Sequence, residues 1–221
     1  MNSAVPSSVG RPFLLRRDAL LTTGRVDHAD WNYTPLLGTI QRTRFDLVAA
    51  LLPAGRVSRL LELGYGSGVF LPELARRCDL LYGIDIHARN QLVMNILERE
   101  GVHAELRVAG AEALPFADHS MDLVVAVSSV EFFSDVEAAC REVRRVLCPS
   151  GRFVVVTPGR SRLVDAGLKL LTGKSAGGEY GARREHVLPT LQRNFTIERE
   201  IHFPPLGGRL LRLYDALRLA P

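Results

Sequence analysis

Residues 60–68 of this chain read LLELGYGSG, an apolar segment followed by three glycines at alternate positions. The apolar segment predicts a short buried strand over 57–63, and the residues after the glycines predict a helix over 69–78. Glycine has no Cβ, so the loop between them can turn sharply and let a ligand approach its backbone. The free N–H groups of the following helix suit a carboxylate or a phosphate.

Neither common phosphate-binding pattern is complete at this loop. The dinucleotide fingerprint GxGxxG requires a third glycine where Val69 stands, and a P-loop requires Gly-Lys-Ser/Thr where the helix begins with Val69-Phe70. Taken alone, the loop is therefore consistent with either a ligand site or a simple strand-to-helix turn.

Short apolar runs and helical patterns alternate after the loop. Further strands are predicted over 80–84, 103–108, 121–127 and 153–157, with helices over 88–100 and 136–147. The strands are continuously apolar, which indicates a sheet covered on both faces. The pattern predicts an α/β fold with a doubly wound, mostly parallel sheet.

The flanking segments are less regular. We predict a disordered tail over 1–10, a helical segment over 11–56, and the main domain over 57–221. Near the C-terminus we predict a glycine-rich loop over 163–184, a helix over 185–194 and a strand over 196–203. Residues 210–219 fit a strand or a helix, with the strand favoured.

Composition limits the classes of protein. The chain has 221 residues, which suits one domain with an added lobe. Its three cysteines lack CxxC spacing and its six histidines lack HExxH spacing, so we expect neither a disulfide framework nor a metal. The apolar runs are shorter than the ~18 residues of a membrane helix. We therefore expect a cytoplasmic protein without a transmembrane segment.

Charge is distributed unevenly. The chain carries 28 basic and 24 acidic residues, which gives a net charge of +4. The segments 1–56, 57–158 and 159–221 carry net charges of +3, −4 and +5. Basic flanks suit an anionic substrate, a membrane surface or nucleic acid, although a solvated arginine surface explains them as well.

An acidic residue ends the second predicted strand. Asp85 follows Gly83-Ile84 and lies about 20 residues beyond the glycines. An acid at this position can accept hydrogen bonds from both hydroxyls of a ribose. The alternative is a helix-capping role.

Four segments in order now resemble the class I S-adenosylmethionine-dependent methyltransferases, in particular the small bacterial group with UbiE-like, or type 11, motifs. They are LLELGYGSG, YGIDI, AEALPFADHSMDLVVAVSSVEFFSD and REVRRVLCPSGRFVVVTP, all within 57–158. The resemblance implies a seven-stranded Rossmann-like sheet, an N-terminal lid over 11–56, and S-adenosyl-L-methionine as the cofactor.

The resemblance also implies roles for individual residues. The glycine loop would line the methionine part of the cofactor, Glu62 would contact its amine, Asp85 would hold the ribose and Ile86 would pack on adenine. The full set of implied cofactor-binding residues is Tyr33, Glu62, Gly64, Tyr65, Gly66, Gly68, Asp85, Ile86, Ala111, Glu112, Val127 and Ser128. This chain departs from the family by having Gly110 where many relatives have an aspartate that meets the adenine amino group.

Methyl transfer from a sulfonium is an in-line displacement with a neutral leaving group, so a base is needed only if the nucleophile must lose a proton. Glu131 and His186 are the predicted catalytic residues, and His28 is a further candidate. Relatives often have histidine where this chain has Glu131.

The favoured function is methylation of a small-molecule acceptor. Methylation of RNA or protein, a non-catalytic S-adenosylmethionine-binding module and a nicotinamide-dependent dehydrogenase are ranked below it. Nucleic acid is a disfavoured partner because 221 residues leave no room for an appended RNA-binding module. Whether the protein forms a homodimer is left open.

Overall fold

The computed structural model describes residues 11–24, 27–159, 179–205 and 211–221. Seven strands and five helices alternate along these residues, with three short 3₁₀ helices at Arg17–Ala19, Ala29–Tyr33 and Val130–Phe132. The strands are β1 (Val57–Leu63), β2 (Cys78–Asp85), β3 (Glu105–Val108), β4 (Met121–Val127), β5 (Leu147–Pro158), β6 (Thr196–Phe203) and β7 (Tyr214–Ala220). The helices are α1 (Pro35–Leu51), α2 (Leu71–Ala75), α3 (Asn90–Arg99), α4 (Val136–Val146) and α5 (Glu179–Asn194).

The strands form one sheet in the order β3-β2-β1-β4-β5-β7-β6. The pairings among the first five strands in that order are parallel, whereas β7 pairs with β5 and β6 in antiparallel register. The predicted doubly wound, mostly parallel α/β sheet is confirmed. The strand order reverses between β1 and β4, and such a switch point leaves a crevice at the carboxyl ends of the strands.

Successive residues of the central strands serve two separate cores. Leu60 and Val125 pack into one core with side chains of α1, α2 and α3, whereas Leu61 and Val124 pack into the other with side chains of α4 and α5. All four of these strand residues are fully buried. This explains why the strands are continuously apolar in sequence.

The N-terminal segment is tied to the glycine-loop side of the sheet. The Leu15 N–H donates to the Val69 carbonyl at 2.9 Å, and the Phe13 N–H donates to the Glu73 carboxylate at 3.0 Å. The Arg89 guanidinium donates to the Thr22 carbonyl at 2.6 Å. Residues 11–24 therefore run from the α2 side of the sheet toward the crevice before α1 begins.

Several predicted boundaries differ from those in the structure. α2 is limited to Leu71–Ala75 instead of 69–78, because the glycine loop continues as turns to Phe70 and Cys78 already begins β2. The chain from Tyr214 is a strand, which resolves the earlier ambiguity. The predicted loop over 163–184 overlaps α5, which begins at Glu179, and the rest of that loop lies outside the described residues.

Within the ranges that the structure describes, no helix has the length and apolarity to cross a membrane.

Candidate functional site

The glycine loop is fastened to the end of β2 by Asp85. Its Oδ2 atom accepts a hydrogen bond from the Gly66 N–H at 2.9 Å, and its Oδ1 atom accepts one from the His87 N–H at 3.3 Å. Each carboxylate oxygen keeps further acceptor capacity, because a carboxylate offers about four lone-pair sites. Asp85 can therefore hold the loop and still accept hydroxyl donors from a ligand.

His87 holds the same loop from the other side. One ring nitrogen, Nδ1, lies 3.1 Å from the Arg89 N–H and must accept from it. The other, Nε2, lies 2.9 Å from the Gly66 carbonyl and therefore carries the proton. The Gly66 backbone is thus held by Asp85 at its N–H and by His87 at its carbonyl.

Position 64 requires glycine because its backbone lies close to Ser129. It has a φ of +73°, and a Cβ built on it would lie 2.5 Å from the Ser129 Cβ. The Ser129 hydroxyl donates to the Leu63 carbonyl at 2.7 Å, which holds the β4 loop against the end of β1. A side chain at position 64 would force these two loops apart.

Charged side chains are buried beneath the loop. Glu62 is only 3% exposed, and its Oε2 atom has no hydrogen-bond partner among the described residues. Burial raises the pKa of Glu62 to about 8; Asp85 adds to this shift and Arg44 opposes it. Arg44 comes from α1 and donates to the Asn32 side-chain oxygen at 3.2 Å, so the N-terminal segment brings a cation toward the buried acids.

Glu131 lies in the same charged group. It follows β4 in the short helix Val130–Phe132 and is 2% exposed. Burial lowers the pKa of Arg44, while Tyr214, Glu131 and Glu62 act in the opposite direction. The arginine therefore stabilises negative charge on Glu62 and Glu131.

A cavity of about 720 Å³ lies over the carboxyl ends of the strands. It is lined by eleven of the fourteen residues predicted to form the site: Glu62, Gly64, Tyr65, Gly66, Asp85, Ile86, Ala111, Glu112, Val127, Ser128 and Glu131. The opposite wall comes from α1, the Ala29–Tyr33 helix and β7. One cavity thus joins the glycine loop to the N-terminal segment.

Three predicted site residues do not line this cavity. The Tyr33 hydroxyl donates instead to the Leu15 carbonyl. Gly68 turns away from the cavity, because a Cβ on it would lie 3.1 Å from Val93 and 3.2 Å from Leu71. His186 is exposed on α5, whose Val187 points into the second core.

Glu112 is engaged in holding the loop before α4. Its Oε1 atom accepts from the Ser134 N–H and hydroxyl at 2.8 Å and from the Asp135 N–H at 3.2 Å. Burial acts to raise the pKa of Glu112, but these hydrogen bonds outweigh it and lower that pKa. A Cβ on Gly110 would lie 2.7 Å from the Glu112 Oε2 atom, so a side chain at position 110 would require the Glu112 carboxylate to shift.

Arg44 and His87 are among the polar residues that line the cavity and that sequence reasoning missed. No local pattern marks Arg44, which is one of two arginines in α1. His87 lies two residues beyond Asp85, and this adjacency was an available signal. The stacked pair His28 and Trp31, with ring centroids 4.3 Å apart, also lines the cavity.

Comparison with known proteins agrees with this geometry. Residues 61–155 match the Methyltransferase domain family. These residues are thus similar to a methyltransferase domain, and the match together with the sheet order supports a class I S-adenosylmethionine-dependent methyltransferase. An uncharacterized methyltransferase of Schizosaccharomyces pombe is 31% identical to this chain over 100 residues, which cover 45% of this chain and 38% of that protein.

Two further relatives extend the likeness beyond the domain. The ubiquinone/menaquinone biosynthesis C-methyltransferase UbiE of Rickettsia prowazekii is 23% identical over 191 residues, covering 73% of this chain and 77% of that protein. The PH0226 protein of Pyrococcus horikoshii has a TM-score of 0.64 at 21% identity, covering 86% of this chain and 95% of that one. The structural likeness establishes the shared fold.

The residues present fit S-adenosylmethionine, the cofactor of this family. The orphaned Glu62 carboxylate can accept an ammonium group, and Asp85 has spare acceptor sites for hydroxyls. A Cβ on Gly66 would meet nothing within 4 Å, so the loop leaves room for a ligand beside its backbone. Ile86 is 81% exposed and offers an apolar surface at the cavity edge.

Proposed function

We propose that the protein transfers a methyl group from S-adenosylmethionine to a small-molecule acceptor bound in the same cavity. The observation that carries this proposal is the continuity of the cavity from the glycine loop to the wall formed by α1 and β7. A volume of about 720 Å³ is in the upper part of the range for small-molecule sites, which supports space for a cofactor and an acceptor together.

The cofactor would supply an activated methyl group on its sulfonium. In this proposal Asp85 accepts the ribose hydroxyls, Glu62 accepts the amine, and Ile86 covers one face of the adenine. Val127, Ser128 and Ala111 complete the wall around it. Arg44 opposes the rise in the pKa of Glu62 and is available to an anionic group of either ligand.

Catalysis would depend mainly on alignment and exclusion of water. The segment 11–56 acts as the lid in this proposal, since His28, Trp31 and Ile40 close one side of the cavity. Two reactants that are held in the reactive geometry reach effective molarities on the order of 10⁵ M or more. A lid that fixes the acceptor therefore accounts for much of the rate enhancement.

Glu131 would accept a proton from the acceptor where the nucleophile carries one. It is buried and lines the cavity, whereas His186 is exposed on α5 and does not reach it. General-base catalysis of this kind contributes about 10²–10⁴-fold in rate.

The acceptor wall favours a small molecule with an apolar body. Trp31, Ile40, Phe132, Leu213 and Tyr214 line this part of the cavity, with Arg44 and Glu131 as its polar groups. A relative with 77% of its length matched is named as a C-methyltransferase of ubiquinone/menaquinone biosynthesis, which supports a small-molecule acceptor.

The test is an acceptor screen with the purified full-length chain. S-adenosylmethionine is supplied with small-molecule pools separated by polarity, and formation of S-adenosylhomocysteine is measured. We expect acceptor-dependent turnover with apolar pools that bear a hydroxyl, amine or activated carbon. Turnover with RNA or protein substrates and not with small molecules would refute the proposed acceptor class.

A further inference from the structure

A second cavity lies at the opposite end of the sheet and is lined by arginines. It has a volume of about 450 Å³ and is bounded by Arg11, Ala54, Gly55, Arg56, Glu73, Arg76 and Arg77. Four of these seven residues are cationic and one is acidic. The lining therefore carries a formal charge of +3, in a chain whose total is +4.

The acidic group in this lining already accepts three hydrogen bonds. Glu73 is 4% exposed, and its Oε1 atom accepts two hydrogen bonds from the Arg77 guanidinium at 2.9 and 2.7 Å. Its Oε2 atom accepts the Phe13 N–H at 3.0 Å. One arginine of the cavity is thus neutralised, and the carboxylate has little capacity for another cation.

Arg56 is held in place but only partly neutralised. Its guanidinium donates to the Arg76 carbonyl at 2.9 Å and to the Cys78 carbonyl. It also pairs with Asp79 at 3.0 Å, and both side chains of that pair are more than half exposed. An exposed pair of this kind is weak and screened by salt, so Arg56 still contributes positive potential to the cavity.

The two remaining cations form no direct ion pair in the described part of the chain, although Arg11 acts at longer range on Asp46, where it opposes the rise that burial causes in the pKa of that carboxyl. Arg11 and Arg76 form no ion pair there, and the Arg76 guanidinium lies 5.9 Å from the centre of the Phe13 ring. Both side chains belong to exposed residues at the rim. They are free to turn toward an anion without breaking an existing pair.

The arginine cavity is separate from the cofactor cavity. Ala54–Arg56 precedes β1 and Arg76–Arg77 precedes β2, whereas the cofactor cavity lies beyond the other ends of these strands. A strand of seven residues spans about 20 Å, so one small ligand cannot occupy both. The methyl acceptor is therefore not the ligand of this cavity.

We propose that the arginine cavity binds a phosphate-bearing anion, with a pyrophosphate or phosphate-ester group as the recognised chemistry. Guanidinium groups match phosphate oxygens in bidentate geometry, and several around one cavity suit a group with more than one negative charge. A phosphate monoester carries roughly −1.5 to −2 near pH 7, which exceeds what a single carboxylate offers. Arg11 and Arg76 close on the anion while Arg56 and Arg77 form its fixed side.

The test uses inorganic pyrophosphate as the probe at constant ionic strength, with binding measured by calorimetry on the full-length chain. We expect saturable binding of one equivalent, and at least tenfold weaker binding in the double variant R11A/R76A. The matched control is R141A/R144A, which removes two exposed arginines from α4 and should bind within twofold of the unchanged protein. Since all four side chains belong to exposed or rim positions, circular dichroism and melting temperature should show that both variants fold.

Two further probes identify the source of the phosphate. Vesicles of phosphatidylcholine with phosphatidylglycerol are compared with vesicles of phosphatidylcholine alone. Retention on the anionic vesicles that is lost in R11A/R76A, together with pyrophosphate binding, assigns the cavity to a lipid headgroup; pyrophosphate binding alone assigns it to a free phosphate compound. Absence of saturable pyrophosphate binding, equal weakening in both double variants, or arginine-dependent retention of RNA without pyrophosphate binding would overturn the proposal.

Discussion

The carboxylate of Asp85 and the backbone N–H of Gly66 are 2.9 Å apart and hydrogen-bonded, which joins the end of β2 to the glycine loop after β1. The same carboxylate is the proposed ribose acceptor. One side chain therefore sets the shape of the loop and presents the ligand-binding group, so its two roles can be separated by comparing stability with binding.

Asp85→Ala should weaken binding of S-adenosylhomocysteine by about 10- to 100-fold, because hydrogen bonds to a charged acceptor contribute about 1.5–3 kcal/mol. Calorimetric titration measures the change. Asp79→Asn, at the other end of β2, is the control and should bind as the unchanged protein does. Equal affinities for the unchanged protein and Asp85→Ala would exclude the proposed ribose contact.

Gly64→Ala should lower the free energy of unfolding more than Gly66→Ala does. Both residues have positive φ, at +73° and +54°, and a side chain there costs about 1–2 kcal/mol. Only Gly64 would also place its Cβ 2.5 Å from Ser129, which adds about 1–3 kcal/mol of overpacking. Urea unfolding of the two variants measures both free energies of unfolding. Equal losses in the two variants would show that the glycine loop and the loop after β4 can separate at no cost.

Glu62 should make the ligand-free protein less stable at high pH. Its pKa is about 8 in the folded chain, against an ordinary value of 4.5, so the folded state binds the proton more tightly. The contribution of this group is complete below pH 4.5 and is lost as the pH rises toward 8. Between pH 5.5 and 8.5 the unchanged protein should lose on the order of 3 kcal/mol more than Glu62→Gln does.

Urea unfolding at the two pH values measures this difference, and the exposed Glu98→Gln serves as the control. A pH dependence that is the same in Glu62→Gln and the unchanged protein would contradict the assignment. A second readout is proton release: if Glu62 receives the amine of S-adenosylhomocysteine, binding near pH 7 should release up to about one proton. Calorimetry in buffers of different ionisation enthalpy detects it, and Glu62→Gln should abolish it.

Glu131→Gln should reduce methyl transfer to a protic acceptor by about 10²–10⁴-fold while leaving the affinity for S-adenosylhomocysteine within about twofold. His186→Gln should leave both quantities unchanged, because the side chain is exposed and does not line the cavity. Turnover with an acceptor found in the screen, measured beside calorimetric binding, separates the two effects. If methyl transfer were lost in His186→Gln and unchanged in Glu131→Gln, His186 and not Glu131 would be the general base.

Elements with strong local patterns could be predicted closely from the sequence. β1 was predicted over 57–63 and β6 over 196–203, and both have these bounds in the structure. α2 was predicted too long, because the apolar residues Val69 and Phe70 continue its pattern while their backbone belongs to the turns of the glycine loop. Periodicity reports which side chains are buried, and it does not report where backbone hydrogen bonds begin.

The site could be predicted where its residues follow strand ends. Asp85, Glu131, Gly64 and Gly66 line the cavity because parallel strands place their carboxyl ends at one edge of the sheet. Arg44 could not be found in this way, since its position opposite Glu62 depends on how α1 crosses the sheet. Tyr33 illustrates the same difficulty: its hydroxyl bonds to the Leu15 carbonyl, a contact between residues that are 18 positions apart.

The measurement that tests the central claim most directly is a crystal structure of the full-length chain with S-adenosylhomocysteine. The account predicts the nucleoside across the ends of β1 and β2, its ribose hydroxyls within hydrogen-bonding distance of the Asp85 carboxylate and its amine beside Glu62. Electron density for the ligand elsewhere, or a crevice filled by the protein's own side chains at saturating ligand, would contradict it.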